Sequence, residues 1–147
     1  MNNENKIIIY QVFTRLFGNN NNHCVYNGDI VTNGCGKMAD FTLKALSEIK
    51  KLGTTHIWYT GIIEHATQTD YRRYNISPDH PAIVKGKAGS PYAIKDYYDV
   101  DPDLANDIPE RMREFENLVR RTHRAGLKVI IDFVPNHVAR QYHSDAQ

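Results

Sequence analysis

The residues best suited to chemistry stand together in the run Asp132-Phe133-Val134-Pro135-Asn136-His137. Asp132 interrupts the apolar stretch that starts at Val129, and a carboxylate there needs a partner because an unpaired buried charge is expensive. Strand alternation puts Asp132 and Val134 on one side, and Ile131 and Phe133 on the other. Pro135 cannot donate to a ladder and marks where pairing stops. That leaves the Asn136 amide and the His137 imidazole at a strand-end rim, where they can hydrogen-bond a polar ligand or simply cap the strand. The residues alone leave both readings open.

A second concentration of chemistry lies upstream. Tyr71, Tyr74, Tyr92, Tyr97 and Tyr98 fall in one long connection and suit either the lining of a cleft or the packing of a loop. The carboxylates Asp96, Asp99, Asp101 and Asp103 are spaced somewhat like a calcium loop but lack its glycine and final glutamate, so they read as turn and capping residues. His65, His80 and His143 have no spacing that suggests a metal site. Trp58 reads as core.

Three short β-rich runs must position these groups: Ile7 to Phe13, His56 to Tyr59, and Val129 to Val134. They are near-continuously apolar, as strands covered on both faces of a parallel sheet would be. Between them lie two helical patterns. Met38, Phe41, Ala45, Leu46, Ile49 and Leu52 form one stripe, with Asp40 as expected N-cap and Gly53 just past the end. Met112, Phe115, Leu118, Val119, Thr122 and Ala125 form the other, with Asp107 as expected cap, Pro109 in the first turn and Gly126 ending it. The order is β-α-β-α-β, for which parallel strands and right-handed crossovers are the default. The αβ turns are short. The βα connections, at about 14–39 and 61–108, are long and emerge at the carboxyl ends of the strands, where α/β folds place their sites. The run Asn19-Asn20-Asn21-Asn22 reads as a mobile loop tip.

Composition narrows the class further. With 18 basic and 17 acidic residues among 147, the net charge gives no field that would favour nucleic acid or an anionic membrane. No apolar run approaches the roughly 20 residues that span a bilayer. The polar start and the short apolar stretch after it do not read as a signal peptide, which favours the cytoplasm. Cys24 and Cys35 read as two free thiols in a reducing compartment.

Four segments in order carry a resemblance: Ile9-Tyr10-Gln11-Val12-Phe13; Leu46 to Gly53 followed by His56-Ile57-Trp58; Gly89-Ser90-Pro91-Tyr92 through Asp96-Tyr97-Tyr98-Asp99-Val100-Asp101-Pro102; and Asp132 to His137. Together they resemble the first strand, first helix and second strand, tyrosine-bearing second loop and first conserved region of the α-amylase family, glycoside hydrolase family 13. The resemblance implies the N-terminal portion, about β1-α1-β2-α2-β3, of a (β/α)8 barrel. It implies that His137 hydrogen-bonds the sugar on the non-reducing side of the cleaved bond and that Tyr92 stacks on the same sugar. Asn136 matches a position whose side-chain oxygen binds calcium in many members, and Asp132 an aspartate that supports the site without being the nucleophile. Ser90-Pro91 replaces the His-Gly that many members carry before the tyrosine, as in some transferase-leaning subgroups.

The same resemblance says what to expect of activity. Retaining glycosidases use two carboxyls about 5 Å apart, which in this family follow later strands, and no Asp or Glu here matches them. The expectation is therefore a piece of a retaining enzyme acting on α-glucans, inactive by itself, with calcium bound only in a longer protein. Its open sheet edges would favour self-association. An α-glucan glycosyltransferase of the same family, a non-catalytic carbohydrate-binding partial barrel, and an unrelated α/β domain are the alternatives.

Overall fold

The computed structural model describes residues 6–144; residues 1–5, part of the polar start considered above, lie outside the described residues. Chain order is β1 (Ile9–Phe13), α1 (Ile30–Asn33), α2 (Leu43–Lys51), β2 (His56–Thr60), β3 (Ile63–His65), β4 (Ile94–Val100), α3 (Arg111–Arg124) and β5 (Lys128–Ile131). β1, β2 and β5 form a parallel sheet with β2 in the centre, and Tyr10, Ile57 and Val129 stand side by side across it. This is the expected β-α-β-α-β arrangement, part of an α/β barrel.

One face of the sheet carries the core. Val12, Ile57 and Tyr59 point to it and meet Met38, Phe41, Leu46, Ile49, Leu118 and Leu127. Phe41 stacks on Phe17 at 4.2 Å and meets Tyr59 edge-on at 4.9 Å. The Tyr59 hydroxyl is satisfied by Thr122 Oγ1 at 2.7 Å, so a polar tip can sit inside the sheet–helix layer. Each of the large side chains here contributes about 1.5–3 kcal/mol through burial. The opposite face is not covered as the apolar runs suggested. Ile9 and Gln11 are exposed there, and Phe13, Trp58 and Ile130 are only half-buried. Trp58 is thus not the core residue expected of it.

The helix caps differ from expectation. Asp40 does not cap the first long helix. Thr42 does, its hydroxyl accepting from Ala45 N at 3.2 Å, while Asp40 accepts from Lys37 N at 2.7 Å and closes a preceding 3₁₀ turn. Met38 and Phe41 therefore reach the core from that turn instead of from the helix. Asp107 caps nothing with its side chain. Glu114 reaches back instead and accepts from the backbone N–H of Asn106 and Asp107, at 3.0 and 2.7 Å, where a carboxylate also suits the positive helix end. Met112, placed on the apolar stripe, is 43% exposed. The terminating glycines are as expected, with Gly53 and Gly126 at φ +85° and +73°.

The second long connection is not plain loop. It contains β3 and β4, an antiparallel pair with register shifts on both sides of Glu64. The asparagine run is also tied down: Asn19 Nδ2 donates to Asn33 O and Asn21 Nδ2 to Thr32 O, at 3.0 and 2.9 Å, bracing α1.

Candidate functional site

Asp132 follows the last residue of β5 and is 8% exposed. Its two oxygens take two donors from the neighbouring strand: Trp58 Nε1 donates to Oδ1 at 2.5 Å and Gly61 N donates to Oδ2 at 3.1 Å. The carboxylate thereby pins the end of β2 to the end of β5. Gly61 sits at φ +81°, and a Cβ there would lie 3.1 Å from Pro91 Cβ and 3.2 Å from the Phe13 ring. The bare glycine lets Pro91 pack over the strand ends, which sets the adjacent Tyr92 on the same rim. Gln11, Phe13, Thr60, Pro91 and Tyr92 line a concavity of about 450 Å³ there. Gln11 Nε2 is oriented in it by Thr60 Oγ1 at 3.0 Å. Tyr92 is 47% exposed and its side chain helps line that concavity.

His137 and Asn136 arrive from the loop after β5. Both are exposed, and His137 Nδ1 lies 2.8 Å from Asn136 Oδ1. An amide oxygen only accepts, so Nδ1 carries a proton here and Nε2 is the ring nitrogen left to face a hydroxyl. The loop is fastened to β4. The Tyr97 hydroxyl donates to Val134 O and lies 3.4 Å from His137 O. Ala139 N donates to Ile94 O at 2.7 Å, and His143 N donates to Lys95 O at 3.1 Å. Asp132 and Tyr92 are thus joined through Gly61 and Pro91, and the His137 loop is joined to the strand that follows Tyr92. No hydrogen bond links Tyr92 to His137 among the described residues.

Asn136 is a poor calcium site by itself. It supplies one oxygen, already engaged by His137, and no group of three or more His, Cys, Asp or Glu among the described residues is arranged to hold a metal ion. A hard cation asks for six to eight oxygens, so the donors described here do not fit one.

The acidic run proves more than turns and caps. Asp101 does cap a 3₁₀ turn through Asp103 N, and Asp96 accepts from Tyr98 N. Asp103, however, is buried and takes Arg15 at 3.0 Å and the Tyr71 hydroxyl at 2.6 Å, and Asp99 takes a two-pronged contact from Arg111. Lys95, 3% exposed, lies 3.2 Å from Asp79 and 3.6 Å from Glu64 and donates to Ser77 O. Cys24 and Cys35 are free, and burial pushes the Cys35 thiol up to about 11, far from thiolate chemistry. Lys95, Gly61 and the Gln11 side chain were not singled out from the sequence, and Asp99 and Asp103 were read there as turn and capping residues. Only the need of Asp132 for a partner was readable there.

Parallel strands with helices on one face, and polar and aromatic residues gathered at the strands' carboxyl ends, define a portion of a (β/α)8 barrel with a sugar-compatible rim. The chain belongs to the α-amylase family: the model for the alpha amylase catalytic domain matches residues 11–146. Alpha-amylase 2 of Dictyoglomus thermophilum is 28% identical over 132 residues, which is 90% of this chain and 19% of that protein. An amino acid transporter heavy chain of Rattus norvegicus is 43% identical over 51 residues, 35% of this chain and 7% of that protein. Among solved structures, an alpha-amylase from Lactobacillus plantarum superposes with a TM-score of 0.62 at 30% identity, covering 93% of this chain and 24% of that one. A maltogenic alpha-amylase from Thermotoga neapolitana superposes at 0.59 with 29% identity, covering 97% and 26%. The chain spans about a quarter or less of the length of each of these relatives.

Proposed function

We propose that this chain is the sugar-holding first portion of a retaining glycoside hydrolase acting on α-glucans such as starch, glycogen or maltooligosaccharides. The observation that carries the reading is the rim itself: Asp132 joins β2 to β5 and, through Gly61 and Pro91, seats Tyr92 beside a concavity at the strand ends. In this reading Tyr92 stacks on the sugar and His137 hydrogen-bonds one of its hydroxyls. Asp132 holds the frame, and the nucleophile and acid/base carboxyls come from other parts of the protein. Among the carboxylates described above, Asp99 and Asp103 are ion-paired and Asp132 is hydrogen-bonded into the frame. Asn136 would be one oxygen among several in a calcium site completed by other segments. Glucosyl transfer uses the same site chemistry and is the nearest alternative. The two free thiols support a reducing, cytoplasmic compartment, and among the described residues no helix is long and apolar enough to cross a membrane.

A second reading is a non-catalytic carbohydrate-binding partial barrel; a related 51-residue segment occurs in a protein named as an amino acid transporter heavy chain, not as a glycosidase. The test is His137→Ala and Tyr92→Ala in the full-length gene product, assayed on maltooligosaccharides. Each should lower kcat/KM by about a hundredfold, the scale on which sugar contacts stabilise the transition state by several kcal/mol. Lost binding in a protein that never turns substrate over would favour the second reading. Unchanged behaviour of both variants would remove the first.

A further inference from the structure

The residue that connects the two halves of the rim is Tyr97, a side chain for which the α-glucan reading has no role. It stands in β4, whose first residue, Ile94, closely follows Tyr92. It is half-buried, and its ring packs on Phe133 at 5.7 Å and Tyr142 at 5.8 Å between centroids. Its hydroxyl reaches two carbonyls of the loop after β5, Val134 O and His137 O. The other ties between β4 and this loop are backbone bonds at Ala139 and His143, beyond the histidine. Upstream, the hydrogen bonds described for the loop are those where Asp132 meets β2. Tyr97 is therefore the described side chain that fixes the stretch between those anchors, where Asn136 and His137 are exposed and Pro135 contributes no backbone donor.

We propose that Tyr97 is a positioning residue: its hydroxyl, by donating to the Val134 carbonyl with the His137 carbonyl 3.4 Å away, sets the His137 imidazole relative to the Tyr92 ring across the bound sugar. The role rests on the α-glucan reading, because it acts through His137. It makes no contact with substrate itself. Removing the hydroxyl leaves the ring contacts with Phe133 and Tyr142 in place, so the effect is confined to the loop's set.

The experiment is a cycle of Tyr97→Phe, His137→Ala and the double variant in the full-length gene product. Its readouts are kcat/KM on maltooligosaccharides and amide hydrogen exchange across residues 134–138. A single hydrogen bond changes such equilibria about two- to tenfold. Tyr97→Phe should speed exchange in the loop by that factor and lower kcat/KM similarly, with an unchanged melting temperature. Added to His137→Ala, it should cost no further activity, since residues acting through one another are not additive. Unchanged exchange, or losses that multiply in the double variant, would overturn the role. If His137→Ala leaves turnover untouched, the α-glucan reading fails, and the exchange measurement still decides whether Tyr97 sets the loop.

Discussion

His65 Nδ1 and Asp101 Oδ2 face each other at 3.5 Å, both residues are essentially without solvent contact, and neither atom has a hydrogen-bond partner among the described residues. On its other side, His65 Nε2 lies 3.3 Å from Ala88 O, a carbonyl that can only accept. A neutral imidazole donating there would turn a lone pair on the carboxylate. A proton on Asp101 removes the conflict, and so does a second proton on His65. The two residues belong to different segments, β3 and the turn after β4, so a single proton affects how those segments meet.

Burial drives the Asp101 carboxyl up, to about 6; Asp103 adds to the rise, while His65 and Arg15 oppose it. A carboxyl whose folded-state value lies above its unfolded value of 3.8 favours the folded state while protonated. That contribution is full below about pH 4 and fades as pH rises through about 6. The stability of the wild type relative to Asp101→Asn should therefore fall by on the order of 3 kcal/mol between those limits. Denaturant titrations of both proteins from pH 3.5 to 7 measure it. A difference that stays flat with pH would show that Asp101 does not carry the proton.

Lys95 offers a second buried charge to test. Its ammonium is shared among Asp79, Glu64 and Ser77 O in a site closed to water. Lys95→Met leaves two carboxylates without their cation, and removing one partner of a buried ion pair costs about 3–5 kcal/mol. The chemical denaturation midpoint of the variant reports this directly. A loss below about 1 kcal/mol, the level of an exposed pair, would mean that the cluster is wetter than its burial suggests.

Gly89 precedes the Ser90-Pro91-Tyr92 segment at φ +77°, and a Cβ there would fall 1.8 Å from Ala66 O. Gly89→Ala combines left-handed backbone strain of about 1–2 kcal/mol with that backbone collision. The segment must move away from Ala66 and take Tyr92 with it. We expect weaker maltooligosaccharide binding together with a lower melting temperature. A variant with unchanged affinity would show that Tyr92 is placed independently of this close approach.

The parallel sheet ends, among the described residues, in β1 on one side and β5 on the other, and its second face leaves Ile9 and Gln11 exposed. Unpaired edges of this kind template further pairing. A protein consisting of residues 1–147 alone should therefore sediment as concentration-dependent oligomers. A monomer from micromolar to hundreds of micromolar would contradict this.

Much of the frame was legible because it rests on local signals. The two terminating glycines, the positions of the strands and the inner part of each helical stripe survive into the structure, since periodicity and φ > 0 positions are set by nearby residues. The caps were less legible. Asp40 and Thr42 both suit an N-cap, and only the tertiary placement of Met38 and Phe41 decides that the helix begins after Thr42. The β3–β4 pair escaped because its register shifts break the alternation that would announce a strand. For the site, Asp132 announced that it needed a partner, yet Trp58 and Gly61 could not be named, because the pairing is made far along the chain. Lys95 and Asp101 were hardest to see: charge in a sequence reads as surface, and only the fold brings opposite charges together out of water.

The bond between Gly61 and Asp132 spans 71 residues, and that between Trp58 and Asp132 spans 74. Contacts of high sequence separation form only after the intervening chain has been closed, and each doubling of such a loop adds about 0.6 kcal/mol to its closure entropy. The rim thus forms only once the chain between β2 and β5 has been closed. The core of Phe41, Leu46 and Ile57 can assemble from neighbouring segments first. Gly61 gains its bond to Asp132 only when β5 is in place, so a failed docking of β5 would leave a compact molecule with an unformed binding edge.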